Sequence, residues 1–470
     1  MLDFTGTYTD QYQLVMAQVY FMKGRKDQGA VFDYFFRKSP FGGGYAVFAG
    51  LEDFLDSLET LRFDDKDLDY LEEQGLQTRF LRYLEDFRFQ GNVYSAREGD
   101  VVFPTRPVLQ VEGTLLETQI VETLLLNVLN FQTLVATKAS RMRWVAGDRK
   151  LVDFGLRRAQ GPGGYYASRA AFVGGFDATS NVRAGRDFGI PVSGTMAHSF
   201  VQSYEEEINA FRHFAEERPE DCVLLVDTYD TLKSGLPNAI AIAKEMEERG
   251  QRLKGIRLDS GDLAWLAKES RKMLDSAGLP YVKIAASNQL DEYVIRSILE
   301  QKAPVDIFGV GTSLVIGGPD AALDGVYKLV FASNEPRIKL SETVGKITIP
   351  HRKQVYRILD GDGNWIGADA VALADEGDFE TMHHPFEPEK SLSVKGFTKE
   401  PLLERVMENG KRCSSRRKIQ EIARYSLQRL EKLPPEYRRF EFPHIYKVGL
   451  SDGLKRERDH LIQRQREKSR

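Results

Sequence analysis

The sequence is poor in the features that mark secreted and membrane proteins. Its 470 residues include two cysteines, Cys222 and Cys413, which can form neither a disulfide framework nor a cysteine zinc site. The first residues lack the basic start and apolar core of a signal peptide. No apolar run approaches the length of a membrane span. We therefore expect a cytoplasmic protein that has no membrane partner.

An excess of charge of one sign is also missing. The formal net charge is −4, so a general nucleic-acid binder is not indicated. The charged segment 452–470 is interpreted as a solvated terminal helix. Hydrophobic residues make up 42% of the chain and charged residues 29%, which is typical of a soluble globular protein. The length exceeds the needs of one domain, and we expect two.

Strand and helix signals alternate in the middle of the chain, over residues 116–330. The apolar strands lie at 151–154, 190–193, 223–226, 256–258, 284–286 and 307–310. Strand–helix units in series predict a parallel sheet, here an α/β barrel that is complete or incomplete. Residues 1–115 mix helices with antiparallel strands, and residues 331–470 return to hairpin patterns. We predict that the two terminal segments form one α+β domain.

A histidine lies in a loop of small residues just beyond one of these strands. His198 stands in the segment Gly194–Phe200, directly after the strand at 190–193. Parallel α/β folds place their chemistry at such strand ends. An imidazole there can accept a proton, bind a metal or act as a nucleophile toward phosphorus. The structural alternative is a histidine that only opens the helix at Ser199.

Charged and glycine-rich loops follow the other strands. Arg157 and Arg257 can pair with a phosphate or a carboxylate in a bidentate way, or they can form structural salt bridges. Asp227 can bind ribose hydroxyls or magnesium, or it can cap a helix. The segment Gly309–Ser313 offers backbone amides and hydroxyls that suit a phosphate monoester.

Together these motifs resemble the nicotinate phosphoribosyltransferase family. The matching segments keep their order along nearly the whole chain, at 9–13, 37–44, 154–161, 174–181, 194–200, 225–229, 234–238, 257–263, 309–313, 325–330 and 353–357. The resemblance implies that nicotinate and phosphoribosyl pyrophosphate form nicotinate mononucleotide and pyrophosphate, the first step of NAD salvage from nicotinate. It also implies ATP hydrolysis, with Mg²⁺, coupled through a transient phosphohistidine.

The resemblance also assigns roles to single residues. The phosphorylated histidine corresponds to His198, and the nicotinate contacts correspond to Tyr12, Thr195 and Arg257. Physical chemistry agrees, since a guanidinium at Arg257 suits a carboxylate better than a neutral amide. In this family the tyrosine at position 12 is supplied across a subunit interface. A homodimer with shared active sites is therefore implied.

The phosphoribosyl group is expected at the glycine-rich loop. The resemblance places its contact on Thr312, and we group Gly309, Gly311 and Arg157 with it as phosphate ligands. We expect the carboxylate of Asp227 to stabilise the positive charge that develops on the ribose as pyrophosphate leaves. The sequence assigns no set of metal ligands.

Several alternatives stay open at this point. An enzyme of the same fold that acts on nicotinamide or quinolinate is the nearest, although quinolinate carries a second carboxylate and needs more cations. A phosphosugar aldolase or isomerase needs a Schiff-base lysine or a carboxylate base at a strand end, and no lysine stands in these loops. A non-catalytic phosphate-binding protein is the third, but His198, Arg257 and Thr312 argue against a decayed site.

Overall fold

The chain forms two compact units. The structure, a computed structural model, describes residues 4–341 and 347–468. The terminal unit consists of Met1–Thr137 and Ala322–Arg470, and the central unit consists of Lys138–Ala321. The sequence predicts domain boundaries at 1–115, 116–330 and 331–470. These boundaries stay predictions.

The first segment of the terminal unit mixes helices with strands. Its elements are α1 (Gln11–Met22), β1 (Gly29–Phe36), β2 (Ala46–Val47), α2 (Leu51–Thr60), α3 (Asp65–Glu73), α4 (Thr78–Glu85), β3 (Asn92–Ser95), β4 (Val101–Val102), β5 (Leu109–Thr114), α5 (Leu115–Ile120) and α6 (Glu122–Ala146), which runs on past Thr137. Thr114 and Glu117 form a capping box in which each side chain accepts a hydrogen bond from the other's backbone N–H. Strand β5 therefore passes into helix α5 without a loop.

In the central unit, strands and helices alternate. Its elements are β6 (Lys150–Asp153), α7 (Gly163–Val173), β7 (Ala178–Thr179), α8 (Val182–Phe188), α9 (His198–Gln202), α10 (Glu207–Glu217), β8 (Val223–Leu225), α11 (Leu236–Glu248), β9 (Gly255–Leu258), α12 (Leu263–Ser276), β10 (Lys283–Ser287), α13 (Glu292–Glu300), β11 (Ile307–Val310) and α14 (Thr312–Val315). The strands form one parallel sheet in the order β7-β6-β11-β10-β9-β8. The carboxyl ends of all six strands therefore face the same way.

The parallel sheet is an incomplete barrel, as the alternation of elements predicts. Strand β11 pairs with β6, so the last strand of the unit joins the first. Beyond β7, Thr179 makes one isolated parallel bridge to Val192, and within the described chain no pairing links Val192 to β8. The prediction of a full strand at 190–193 is therefore wrong. Pro191 has no N–H to donate, which limits this segment to a single bridge.

The last segment of the chain returns to the first through strand pairing. Its elements are β12 (Gly325–Ala332), β13 (Glu335–Pro336), β14 (Lys353–Leu359), β15 (Trp365–Leu373), β16 (Thr381–His383), β17 (Ser391–Ser393), β18 (Thr398–Pro401), β19 (Glu404–Glu408), β20 (Lys411–Arg412), α15 (Ile419–Lys432), α16 (Pro435–Arg438), β21 (Lys447–Ser451) and α17 (Asp452–Lys468). A seven-stranded sheet has the order β13-β12-β1-β5-β3-β19-β20, so two strands of the last segment flank the three central strands of the first segment on each side. The prediction of one α+β domain built from both terminal segments is confirmed.

Aromatic side chains fill the core of the terminal unit. Phe36 of β1, Phe54 of α2 and Phe80 of α4 are all at most 1% exposed and belong to one continuous apolar cluster. Burial of this kind supplies most of the stabilisation of such a unit. Among the residues that the structure describes, no helix is both long and apolar enough to cross a membrane.

Candidate functional site

An imidazole lies at the carboxyl ends of the barrel strands. His198 is the first residue of helix α9, and its side chain is 39% exposed. Its Nδ1 lies 3.1 Å from Thr228 Oγ1, and its Nε2 lies 3.7 Å from Asp259 Oδ2. The ring is therefore held from two sides while one face stays open to solvent. This arrangement suits a nucleophile or a proton acceptor that has to meet a ligand.

Two carboxylates lie next to this imidazole. Asp227 Oδ2 accepts hydrogen bonds from the backbone N–H of Asp259, at 2.8 Å, and from Ser260 Oγ, at 2.6 Å. The other oxygen, Asp227 Oδ1, is buried and has no hydrogen-bond partner among residues 4–341 and 347–468. In the loop of Asp227, it is Asp230 that caps the following turn, where it accepts from the N–H groups of Leu232 and Lys233. Asp262 caps helix α12 in the next loop. Asp227 therefore has a free acceptor at the mouth of the barrel.

Arg257 on strand β9 contributes the positive charge of the site. Its Nη2 donates a hydrogen bond to Met196 O at 3.0 Å, and its buried Nε has no partner in the described part of the chain. Burial lowers the pKa of Arg257, and the nearby carboxylates of Asp259 and Asp227 offset this only in part. A buried guanidinium with an unpaired N–H favours an anionic ligand.

The aromatic ring of Phe154 completes this part of the site. The Arg257 guanidinium lies 5.9 Å from the ring centroid. The same ring covers Gly309, where a Cβ would come within 2.3 Å of it. Sequence reasoning did not single out Phe154, although it stands in the conspicuous segment 154–161. Its contact with Gly309 depends on the pairing of β6 with β11, which residue patterns do not reveal.

Asp153 anchors the loop that carries Arg157. Its Oδ1 accepts from the N–H of Gly155 at 2.7 Å, and its Oδ2 accepts from Ser168 Oγ at 2.7 Å and Thr179 Oγ1 at 2.8 Å. Burial raises the pKa of this carboxyl despite the three hydrogen bonds. The loop is thereby fixed to the end of β6, to α7 and to β7.

The loop of Arg157 and the helix of Thr312 pack directly against each other. A Cβ on Gly155 would lie 1.9 Å from Val315 Cγ1 in helix α14, so only glycine allows this approach. Arg157 follows in an exposed turn, and its charge contributes to the lowered pKa of Arg257. Gly311 precedes α14, and Thr312 is its exposed first residue. The structure thus brings together the residues that we predicted for the phosphoribosyl group.

Thr195 and Tyr12 complete the predicted set. Thr195 Oγ1 donates to Met196 O at 3.3 Å, the same carbonyl oxygen that Arg257 contacts, so Thr195 belongs to the mouth of the barrel. Tyr12 belongs to the terminal unit, where it lies on α1 with half of its side chain exposed. Burial raises the pKa of Tyr12, and so does the nearby carboxylate of Glu122.

The described residues contain no preformed cluster of metal ligands. Within the ranges that the structure describes, no group of three or more His, Cys, Asp and Glu side chains is arranged to hold a metal ion. Mg²⁺ commonly binds through one or two carboxylates together with substrate phosphates. The free oxygen of Asp227 and the adjacent carboxylate of Asp259 suit this kind of Mg²⁺ binding, in which substrate phosphates supply the other ligands.

Three family profiles cover almost the whole chain. Residues 7–130 match the nicotinate phosphoribosyltransferase N-terminal domain, residues 149–355 match the nicotinate phosphoribosyltransferase family, and residues 352–458 match the nicotinate phosphoribosyltransferase C-terminal domain. These matches include every predicted site residue.

Similar proteins agree with these profiles. Nicotinate phosphoribosyltransferase of Bacillus subtilis (strain 168) is 44% identical over 460 residues, which cover 96% of this chain and 94% of the relative. A nicotinate phosphoribosyltransferase of Mycobacterium tuberculosis (strain ATCC 25618 / H37Rv) is 41% identical, with 95% and 92% covered.

Solved structures give the same result for the fold. The crystal structure of human nicotinic acid phosphoribosyltransferase superposes with a TM-score of 0.86 at 33% identity, covering 96% of this chain and 99% of the human one. Nicotinate-nucleotide pyrophosphorylase from Pyrococcus furiosus gives a TM-score of 0.72 at 26% identity, with 91% and 95% covered. With the profile matches and the identities above, the chain belongs to the nicotinate phosphoribosyltransferase family.

Proposed function

We propose that this protein transfers the phosphoribosyl group of phosphoribosyl pyrophosphate to nicotinate, the first step of NAD salvage from nicotinate. The observation that carries the proposal is Arg257, a buried guanidinium with an unpartnered Nε beside the flat apolar face of Phe154. A pyridine carboxylate supplies both the anion and the planar ring that this pair can bind. Nicotinamide carries no charge and would leave the guanidinium unpaired.

In the proposed reaction, the nitrogen of nicotinate attacks the anomeric carbon of the ribose. The carbon–nitrogen bond forms as the carbon–oxygen bond to pyrophosphate breaks, and pyrophosphate leaves with the electron pair. Positive charge develops on the ribose in between, and the carboxylate of Asp227 can stabilise it. Arg157 and the backbone at Gly309, Gly311 and Thr312 are the proposed ligands of the phosphate groups.

We further propose that ATP hydrolysis is coupled to this transfer through His198. An imidazole nitrogen attacks the γ-phosphorus of ATP, a nitrogen–phosphorus bond forms, and ADP leaves with the electrons of the broken oxygen–phosphorus bond. Water then cleaves the nitrogen–phosphorus bond, which releases phosphate and restores the imidazole. Mg²⁺ on the phosphates neutralises charge during this step. Asp227, with its free Oδ1, and Asp259 are the carboxylates that would hold it.

The proposed homodimer has support on helix α1. Three large apolar side chains, at spacings of three and four residues, are at least 46% exposed, and they are Tyr12, Val15 and Val19. Such spacing puts them on one face of the helix. An exposed apolar stripe is typical of a protein interface, and it includes the tyrosine that is proposed to reach the partner's site.

Product analysis tests the substrate. The protein is incubated with phosphoribosyl pyrophosphate and with nicotinate, nicotinamide or quinolinate, each with and without ATP and Mg²⁺. We expect nicotinate mononucleotide as the main product, and more of it when ATP is present. Faster formation of the product from nicotinamide or quinolinate would replace the proposal by one of those activities. Absence of every nucleotide product would favour a non-catalytic protein.

Radioactive labelling tests the phosphohistidine. ATP labelled in the γ-phosphate should transfer label to the protein, and the label should survive alkali and be lost in mild acid. His198→Asn should abolish both labelling and ATP hydrolysis but leave some ATP-independent synthesis. Ser199→Ala is the matched control, since a phosphoserine at the adjacent residue would resist mild acid. Normal labelling of folded His198→Asn would refute the coupling.

A further inference from the structure

Ser287 at the end of strand β10 contacts the site, and the reaction proposed above gives it no role. It is 3% exposed, and its hydroxyl donates a hydrogen bond to Asp259 Oδ1. The chain reverses immediately afterwards, where Asn288 and Gln289 have positive φ values of 81° and 50°. Consecutive non-glycine residues in this region store strain, which is common beside functional sites. The position of the Ser287 hydroxyl is therefore tightly determined.

The contacts of Asp259 leave one of its atoms for the histidine. Its backbone N–H donates to Asp227 Oδ2 at 2.8 Å, which fixes the main chain. Its Oδ1 is occupied by the Ser287 hydroxyl, which fixes the rotation of the carboxylate. The remaining oxygen, Oδ2, then lies 3.7 Å from His198 Nε2. Without the serine hydroxyl, nothing else in the described contacts holds Oδ1 in place.

The imidazole is held at its other nitrogen as well. Thr228 Oγ1 lies 3.1 Å from His198 Nδ1, so both ring nitrogens have a neighbour. The orientation of the ring depends on where these two neighbours stand. Attack on phosphorus requires the nitrogen lone pair to point at the reacting atom, and small misplacements of a reacting group are costly in rate.

We propose that Ser287 is a positioning residue for phosphorylation of His198, acting through Asp259. Its hydroxyl keeps Asp259 Oδ2 turned toward the imidazole, so that the ring is oriented for the attack on phosphorus. This role rests on the proposed coupling of ATP hydrolysis to His198. Ser287 itself touches neither the imidazole nor any reacting atom.

The test measures the rate at which label from γ-labelled ATP with Mg²⁺ appears on the full-length protein. Ser287→Ala should slow labelling by at least about tenfold, the order expected for loss of a hydrogen bond to a charged group. Ser287→Thr keeps the hydroxyl and should restore most of the rate. The matched control is Ser270→Ala on α12, because Ser270 is equally buried and its Oγ has no partner in the described residues.

A second measurement separates positioning from a general loss of structure. Nucleotide synthesis without ATP does not pass through His198, so in Ser287→Ala it should fall by a much smaller factor than labelling does. An equal fall in both rates, or labelling at the wild-type rate, would overturn the role of Ser287. Absence of label on the wild-type protein is a different outcome, because it removes the proposed coupling itself.

Discussion

Each unit contains a cluster of arginine and aspartate side chains in close contact, and the two clusters differ in how their arginines are paired. In the terminal unit, Asp369 Oδ1 accepts from Arg357 Nε at 3.0 Å and from the Tyr446 hydroxyl at 2.9 Å, and its Oδ2 forms a 2.8 Å ion pair with Arg106. All of these side chains are buried. In the central unit, Arg257 keeps an unpartnered Nε within the described chain.

The pKa values of the two arginines express this difference. Burial alone would lower both. Asp369 and Asp100 hold the pKa of Arg357 well above its ordinary value, although burial lowers the pKa of Arg106 in the same cluster. Burial also prevails at Arg257 and lowers its pKa. In the cluster of the terminal unit, the removal of one charged side chain would leave an oppositely charged neighbour buried and unpaired, which lowers stability. The unpartnered Nε of Arg257 instead leaves a donor at the mouth of the barrel for the proposed anionic ligand.

The largest expected effect is on stability in the terminal unit. Asp369→Asn leaves the buried Arg106 without its ion pair and should lower the free energy of unfolding by about 3–5 kcal/mol. The same change at the mouth, Asp227→Asn, should cost less than about 1 kcal/mol while it lowers activity. Urea denaturation of both variants measures this. Similar losses of stability would refute the distinction between the two clusters.

The next effect is on substrate choice. Arg257→Ala should weaken kcat/KM for nicotinate by about 2–3 kcal/mol, since it removes a charge-assisted hydrogen bond. The melting temperature should stay near that of the wild type, because Arg257 forms no ion pair with an acidic side chain among the described residues. Arg158→Ala, which changes an exposed arginine of the same region, is the control. Wild-type kcat/KM in Arg257→Ala would show that this guanidinium does not bind nicotinate.

A third experiment asks whether the open site is completed by a second copy of the chain. The activity measured is ATP-stimulated synthesis, in which Tyr12→Ala and His198→Ala subunits are each expected to be nearly inactive. If sites are shared, half of the sites in a mixed dimer carry neither change, and a random equimolar mixture should regain about one quarter of wild-type activity. No recovery in mixed dimers verified by two affinity tags would contradict shared sites.

The smallest effect concerns Asp153, a buried carboxylate paired with hydroxyls and an amide rather than cations. Its pKa is raised in the folded protein above the ordinary 3.8, so its charge lowers stability once the pH exceeds that range. Asp153→Asn has no such charge. Its stability relative to wild type should therefore rise as the pH is raised from about 4 to about 7. A constant difference across that range would mean that burial does not raise this pKa.

Residue patterns predicted the location of the site better than its internal contacts. The incomplete barrel and the gathering of His198, Asp227 and Arg257 follow from alternating strands and helices, since all parallel strand ends face one way. The contacts of Phe154 with Gly309 and of Ser287 with Asp259 link neighbouring strands. They depend on sheet register, which one sequence does not specify. ATP, Mg²⁺ and the homodimer stay predictions.

The ends of the helices were harder to predict than the positions of most strands. The patterns favour single helices over 67–87 and 199–217, and the structure divides each of them into two. The first break falls at Gly75, whose φ of 83° does not continue a helix. The second falls at residues 203–206, where no glycine or proline gives a signal in the sequence. Tertiary packing decides such a break.

The return of the chain to β1 governs the order in which the protein can fold as it is synthesised. Ala30 of β1 pairs with Ala332 of β12, about 300 residues later, and the whole central unit lies between them. On the ribosome, the central unit is therefore complete before β1 can meet this partner. A nascent chain that ends near residue 321 carries a finished barrel and an unpaired sheet edge. Chaperone binding should accordingly persist on the first segment until β12 emerges.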